Sequence, residues 1–329
     1  MFSRKHTRAA ALGVVGIFAL AGCGLGPSTS TVPAVGQGSL EPVEGAEGQE
    51  LVVTSKNFTE QIILGKIAVL TAEAAGFEPQ DMTNVPGSQP VRNLMTSGDA
   101  DVTVEYTGTA WLTYMGHEQG IPDQQEQWQA VHDEDLGNGL TWGAPGTLNN
   151  TYALAVRQEY AEANGITELS DLARVPVEDR TICVESEFNS RSDGLNPMLS
   201  AYGLERGAAD GVPDSNIAIL DTGTVYTATA GGDTCNFGEV FTTDGRIDSL
   251  NLTVLEDDRN FFPAYNASPV FNTEFLDRYP ELEDRYDEVV SRLTDEKMRD
   301  MNLKVDVEGQ DPAQVAFDWM VGEGLISES

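Results

Sequence analysis

Valines alternate with polar side chains along Asp101-Val102-Thr103-Val104-Glu105, and the run ends on Tyr106. A period of two predicts a short strand. Thr107-Gly108-Thr109 then turns the chain, and helix-compatible residues follow from Ala110 to Met115. A strand that ends on an aromatic ring and turns at once into a helix sets that ring at the carboxyl edge of a sheet. Open α/β folds bind their ligands at that edge. Tyr106 is therefore expected to wall a pocket, with Thr109 and the helix amides beside it.

The same reading organises the rest of the chain. Leu51-Val52-Val53-Thr54-Ser55 predicts a strand. After Lys56-Asn57-Phe58-Thr59-Glu60-Gln61, the residues Ile62, Ile63, Ile67, Leu70 and Ala74 fall at helical spacing and Gly76 closes the helix. Val91, Leu94 and Met95 repeat that spacing up to Gly98. Strand, helix, helix, strand is the grammar of a doubly wound α/β unit. An acidic helix is expected near 124–136. The Gly/Pro/Asn-rich passage 143–150 then leads into a second series: strands at 151–156, 181–185 and 237–242, with helices at 193–202 and near 225–230. Residues 256–263 cross back. Asp311-Pro312 supplies an N-cap and a first-turn proline for a tail helix. The expected fold class is α/β: two doubly wound lobes joined by a two-crossing hinge, a clamshell whose natural motion is closure on a ligand. The expected division is 50–147 plus 260–329 for lobe 1 and 148–259 for lobe 2.

The first residues change the picture of where such a pocket works. Arg4, Lys5 and Arg8 precede an apolar run from Ala9 to Ala21, and Leu20-Ala21-Gly22-Cys23 follows. A charged start, a short apolar run and a small-residue site form a secretory signal. The run is too short for a permanent membrane span. Leu-Ala-Gly-Cys resembles a bacterial lipobox, which implies signal cleavage over 1–23 and lipidation of Cys23. An ordinary cleaved signal with an incidental cysteine is the plainer alternative. Residues 24–49, rich in Gly, Pro, Ser, Thr and Glu, predict a flexible tether.

Charge and cysteines narrow the chemistry. The chain carries 53 acidic against 19 basic residues and a formal net charge of −34. Such a surface repels phosphate backbones and argues against nucleic-acid binding. Beyond Cys23 the cysteines are Cys183 and Cys235. In an exported chain they are most simply a disulfide, and two separate buried thiols are the alternative. No spacing resembles a metal site, and no cofactor is expected. A secreted hydrolase is the rival class. It lacks a Gly-x-Ser-x-Gly elbow, and His117 and His132 have no evident nucleophile partner. Phe58, Phe261 and Phe262 are expected in the core. Trp111, Trp142 and Trp319 have no assigned role.

Five segments in order resemble one family. Val53-Thr54-Ser55-Lys56-Asn57-Phe58-Thr59-Glu60-Gln61 is followed by Glu105-Tyr106-Thr107-Gly108-Thr109, then Asn149-Asn150-Thr151-Tyr152-Ala153-Leu154, then Thr243-Asp244-Gly245-Arg246-Ile247. Asp257-Asp258-Arg259-Asn260-Phe261-Phe262-Pro263-Ala264-Tyr265 completes the set. Together they resemble the ProX-type osmoprotectant-binding proteins of ABC importers, across about residues 50–325. The resemblance implies a type II periplasmic-binding-protein fold, a monomer, no enzymatic activity, and a permease as partner. It implies a quaternary amine such as glycine betaine or choline as ligand. It further implies a cage of Tyr106, Tyr152 and Tyr265, with Phe241 where the family commonly has tyrosine. Arg191 matches the family's carboxylate-binding arginine, and Lys56 and Thr109 match polar contacts from the first lobe. Such a cage makes chemical sense. A trimethylammonium group has no N–H to donate, so aromatic faces must hold it, at about 0.5–2 kcal/mol per ring.

Overall fold

The computed structural model describes residues 31–329. Cys23 and the predicted signal lie outside them. Among the described residues no helix is long and apolar enough to cross a membrane.

The described residues form two five-stranded sheets and a small two-stranded one. In the first large sheet the order is Glu78–Val85, Glu50–Lys56, Val102–Tyr106, Ala267–Asn272, Leu140–Trp142. Its first three strands are parallel and Ala267–Asn272 runs antiparallel to both neighbours. The second sheet has the order Leu252–Val254, Tyr152–Arg157, Phe237–Phe241, Ile182–Val184, Ile217–Ile219. The alternating pattern at 101–106 predicts a half-buried strand, yet Val102–Tyr106 is buried on both faces. Its inward polar residue Glu105 must therefore be satisfied, and it accepts from Lys56 Nζ at 2.6 Å and from Tyr114 Oη at 2.7 Å.

The helix Thr59–Ala74 is buried nearly all round, wedged between the first sheet and the tail helix Pro312–Gly322. Asp311 caps the tail helix by accepting from Ala313 N at 2.9 Å, which is the start that Asp-Pro predicts. After Tyr106 the chain makes a short turn over Thr107–Thr109 and then a wide, π-type turn over Ala110–Tyr114. The helix expected over 193–202 is shorter, Leu195–Ala201, and a separate turn Ser186–Ser190 precedes it.

Two crossings join the halves and lie side by side. Asn149 bridges Asn266 in antiparallel fashion. Tyr265 N donates to Asn149 Oδ1 at 2.7 Å, and Ala267 N donates to Leu148 O at 3.0 Å. This pairing turns the carboxyl edges of the two sheets toward each other. In the second lobe Cys183 and Cys235 are joined as a disulfide, which fixes the strand Ile182–Val184 to the loop before Phe237.

One expectation needs correction. The predicted tether ends early, because Val35–Gln37 pairs antiparallel with Ile326–Glu328. Leu40, Val43 and Ala46 are also buried. Leu40 N donates to Leu325 O at 3.1 Å and Val43 N to Ala75 O at 2.9 Å. The average composition of 24–49 is that of a linker. Three apolar residues spaced by three are still enough to cover the end of the helix Thr59–Ala74 and the tail.

Asp287 docks the helix Glu281–Val290 to the start of the first crossing by accepting from Ala144 N at 2.9 Å. Burial pushes its carboxyl from 3.8 to about 6 against that bond, with Glu283 and Asp284 adding to the rise. A raised folded value means the folded chain holds this proton more tightly than the unfolded chain does. Its contribution is therefore full below about pH 4 and is lost as pH rises through about 6. Asp287→Asn should flatten that part of the stability profile and raise the unfolding midpoint at pH 7 more than at pH 4. An unchanged slope in denaturant unfolding between these pH values would contradict the assignment.

Candidate ligand site between the lobes

The facing strand edges enclose a pocket lined by residues of both halves. Lys56, Asn57, Phe58, Ser88, Tyr106 and Thr109 come from the first sheet's side. Tyr152, Glu185, Glu187, Thr222 and Phe241 come from the second, and Asn150 and Tyr265 from the crossings. Backbone register brings the rings together. Tyr152 and Phe241 are direct partners in an antiparallel pair, so their side chains share a face. Their centroids are 5.2 Å apart. Tyr265 meets Tyr152 edge-on at 5.7 Å. Its ring lies over the turn after Tyr106 so closely that a Cβ on Gly108 would sit 2.6 Å from Tyr265 Cδ1. Glycine is required there by that approach.

Of the sequence-predicted residues, Tyr106, Tyr152, Phe241, Tyr265, Lys56 and Thr109 line this one pocket. Phe58 does too, contrary to its expected place in the core. Its ring stacks on Phe241 at 5.0 Å and 17°, and lies 6.4 Å and 23° from Tyr106. A ring two residues past a strand end points along the edge instead of into the sandwich. Its position beside Lys56-Asn57 is the signal that could have placed it. Phe262 does pack as core behind Tyr152, at 6.3 Å.

Arg191 does not line the pocket. It is buried behind Tyr152, its Cζ 5.2 Å from that ring centre. Its guanidinium is forked on Asp193, with Nε to Oδ1 at 2.7 Å and Nη2 to Oδ2 at 2.5 Å. Nη1 reaches Glu187 at 3.1 Å. Two acidic neighbours that sequence spacing did not single out thus occupy the fork that the family resemblance reserves for a ligand carboxylate. Lys56, by contrast, is 4.8 Å from the Tyr106 ring centre while it pairs with Glu105. The site holds a side-chain cation against an aromatic face.

Carboxylates dominate the electrostatics. Burial raises the Glu185 carboxyl. Burial, and then the charge of Glu185, raise that of Glu239 well above the ordinary range. Glu239 is buried and does not line the pocket; its Oε2 accepts from the backbone N of the lining residue Glu185 at 2.8 Å. Glu187 goes the other way: burial works to raise it, but Lys56, Ser88 and Arg191 together hold it below its ordinary value. Burial and the nearby Glu60 carboxylate keep the Tyr106 phenol protonated far above neutral pH.

Hydrogen bonds bridge the halves around the rings. Tyr265 Oη donates to Asp193 Oδ2 at 2.6 Å, and Ser192 Oγ donates to Leu112 O at 3.2 Å. Ser88 donates through both N and Oγ to the Glu187 carboxylate. These bonds hold the two sides of the cleft in contact.

Two sheet-edged lobes closing on an aromatic-walled cleft define the solute-binding class of protein. The chain belongs to the family described as "substrate binding domain of ABC-type glycine betaine transport system", which matches residues 49–321. It is a transport protein, not an enzyme. It is 36% identical over 291 residues to a glycine-betaine-binding protein of Pseudomonas aeruginosa, covering 86% of this chain and 91% of that one. It is 30% identical over 279 residues to the glycine betaine-binding protein YehZ of Escherichia coli, covering 83% and 90%. The solved ligand-free YehZ matches with a TM-score of 0.63 at 29% identity, covering 84% of this chain and 99% of that one. These matches bear out the family, the fold class and the absence of enzymatic function read from the sequence.

Arg191→Ala would strand Asp193 and Glu187 without their cation. Breaking a buried pair in this way costs about 3–5 kcal/mol. The expected result is a large loss of stability in denaturant unfolding, whatever ligand is present. A variant of parental stability that has lost affinity alone would contradict the structural role given to Arg191.

Proposed function

We propose that the inter-lobe pocket captures a quaternary ammonium osmoprotectant, with glycine betaine the first candidate, and presents it to the permease of an ABC importer. One observation carries this reading. Five rings from both lobes and a crossing (Phe58, Tyr106, Tyr152, Phe241 and Tyr265) converge on one cavity that also holds a side-chain ammonium. Rings from both halves make a cage complete only when the lobes are shut, so a cation that binds it favours the closed state. The names carried by the relatives support the same ligand class. Phe241 keeps the aromatic face of the cage and contributes no hydroxyl. The leader up to Cys23 supports an exported protein, lipid-anchored at the outer face of the cytoplasmic membrane.

A second reading is favoured by Arg191. Its fork is already filled by Asp193 and Glu187, while Glu185 and Glu187 face the cavity. That arrangement suits a cation without a carboxylate, such as choline.

Isothermal titration with glycine betaine, choline and carnitine decides between them. Tyr152→Ala should weaken the preferred ligand by about ten-fold or more, since it removes a ring and its desolvation, and should leave the fold intact. Binding of glycine betaine in preference to choline supports the first reading and the reverse order the second. Binding of all three ligands unaffected by Tyr152→Ala would sink the cage.

A further inference from the structure

Glu60 sits in the first turn of the helix Thr59–Ala74 and is fully buried. Its carboxylate collects four donors from four separate segments. Oε1 accepts from Tyr106 Oη at 2.6 Å and from Asn150 Nδ2 at 2.9 Å. Oε2 accepts from Thr243 Oγ1 and from Asn302 Nδ2 at 3.2 Å. Tyr106 ends the central strand of the first sheet and is a ring of the pocket. Asn150 lies on the first crossing. Thr243 follows the strand Phe237–Phe241 of the second sheet. Asn302 lies on the helix Asp295–Asp306, and its Nδ2 also donates to Thr243 O at 2.9 Å.

Among the described residues, no side-chain cation is a hydrogen-bond partner of Glu60. The nearby Arg246 is committed to Asp244 and Asp306. A buried carboxyl without a counter-ion is costly. What offsets the cost here is the full set of donors, two on each oxygen, together with the positive end of the helix dipole. Glutamine has the same shape but loses the charge and one of the two accepting oxygens. Its amide nitrogen carries no charge and would meet one hydroxyl and one carboxamide where an oxygen now accepts from both, so the hydroxyl and the carboxamide would have to reorient to accept from it.

We propose that Glu60 is the positioning residue of the cage: it aims the Tyr106 ring and ties that ring to the hinge and to the second lobe, so that ring orientation and lobe closure are set together. The proposal rests on the reading of the pocket as an aromatic cage. Tyr106 is held at its far end, the hydroxyl, by Oε1, which also holds Asn150, while Oε2 of the same carboxylate holds Thr243. A shift of the crossing or of the Thr243 segment must then be felt at the ring. Glu60 does not itself line the pocket and acts through Tyr106 and Asn150, which do.

The test uses Glu60→Gln, Tyr106→Phe and the double variant in the full chain, titrated with glycine betaine and with choline. Glu60→Gln should weaken whichever ligand the parent binds by about ten-fold or more, the size of a lost charge-assisted bond. In the Tyr106→Phe background the same change should cost less than about two-fold, because coupled residues are not additive. A ligand-free readout accompanies it. Amide hydrogen exchange in Glu60→Gln should speed up at 148–151 and 242–245 and stay parental in the strand Ile182–Val184. Affinity within about two-fold of the parent, additive effects, or uniformly faster exchange would each overturn the proposal. If Glu60→Gln does not fold, Thr243→Val and Tyr106→Phe delete one donor each and should show the same coupling. Tyr152→Ala leaves the Glu60 contacts intact. If that variant binds like the parent, the cage reading fails, and the exchange pattern still decides whether Glu60 ties the hinge.

Discussion

Two hydrogen-bonded crossings set the distance at which the two sheets face each other, and the site depends on that distance. Asn149, Asn266 and Ala267 hold the crossings in register. The register in turn puts Tyr265 over Gly108 on one side and against Tyr152 on the other. Each strand then needs only to end on the right residue. Lys56 and Tyr106 end parallel strands, Glu185 follows Val184, and Tyr152 begins a strand opposite Phe241. The pocket is assembled from strand ends, which is why few of its residues are near each other in sequence.

The charges around the pocket are not balanced. Lys56 is matched by Glu105, and Arg191 is more than matched by Asp193 and Glu187. Glu187 still faces the cavity with its carboxyl held below the ordinary value, while Glu185 and Glu239, raised by burial and held by backbone donors only, keep their protons to higher pH and add less charge. Such a wall favours a cationic guest over an anionic one. The aromatic faces add selectivity for a cation whose charge is spread over methyl groups, since that cation requires no acceptor with fixed geometry. Closure bonds such as Tyr265 to Asp193 and Ser88 to Glu187 are polar and lie around the rings. They hold the cleft shut without filling it.

Much of this was legible in the sequence, for identifiable reasons. Strong periodicity marked the strand at Val102–Tyr106 and the helix after Lys56, and a turn placed Tyr106 at a sheet edge. Tyr152 and Phe241 were found through family resemblance, because their meeting is a matter of cross-strand register that no local pattern encodes. Phe58 was misread as core, because an aromatic residue just past a strand end gives the same local signal whether it packs inward or lines a cleft. The occupied fork of Arg191 was hidden as well. Asp193 is two residues away, but side-chain direction decides whether it meets the arginine. The stretch from Val35 to Ala46 read as linker by composition, and three well-spaced apolar residues were enough to dock it. The four donors around Glu60 lie as far apart as Tyr106 and Asn302, so only the folded chain reveals them.

On the proposed reading of the pocket, the rings recognise a delocalised positive charge, not merely a bulky apolar head. A thermal-shift titration of the full chain compares whichever of the two candidate ligands binds with the isostere in which carbon replaces the ammonium nitrogen: 3,3-dimethylbutanoate for glycine betaine, 3,3-dimethylbutan-1-ol for choline. Ligand and isostere have nearly the same shape, and a ligand that binds only the folded state raises the unfolding midpoint by mass action. Recognition of charge by the rings predicts a dose-dependent rise with the quaternary amine and little or none with its carbon isostere at the same concentrations. Equal shifts from both would show that apolar burial alone fills the pocket and would contradict it.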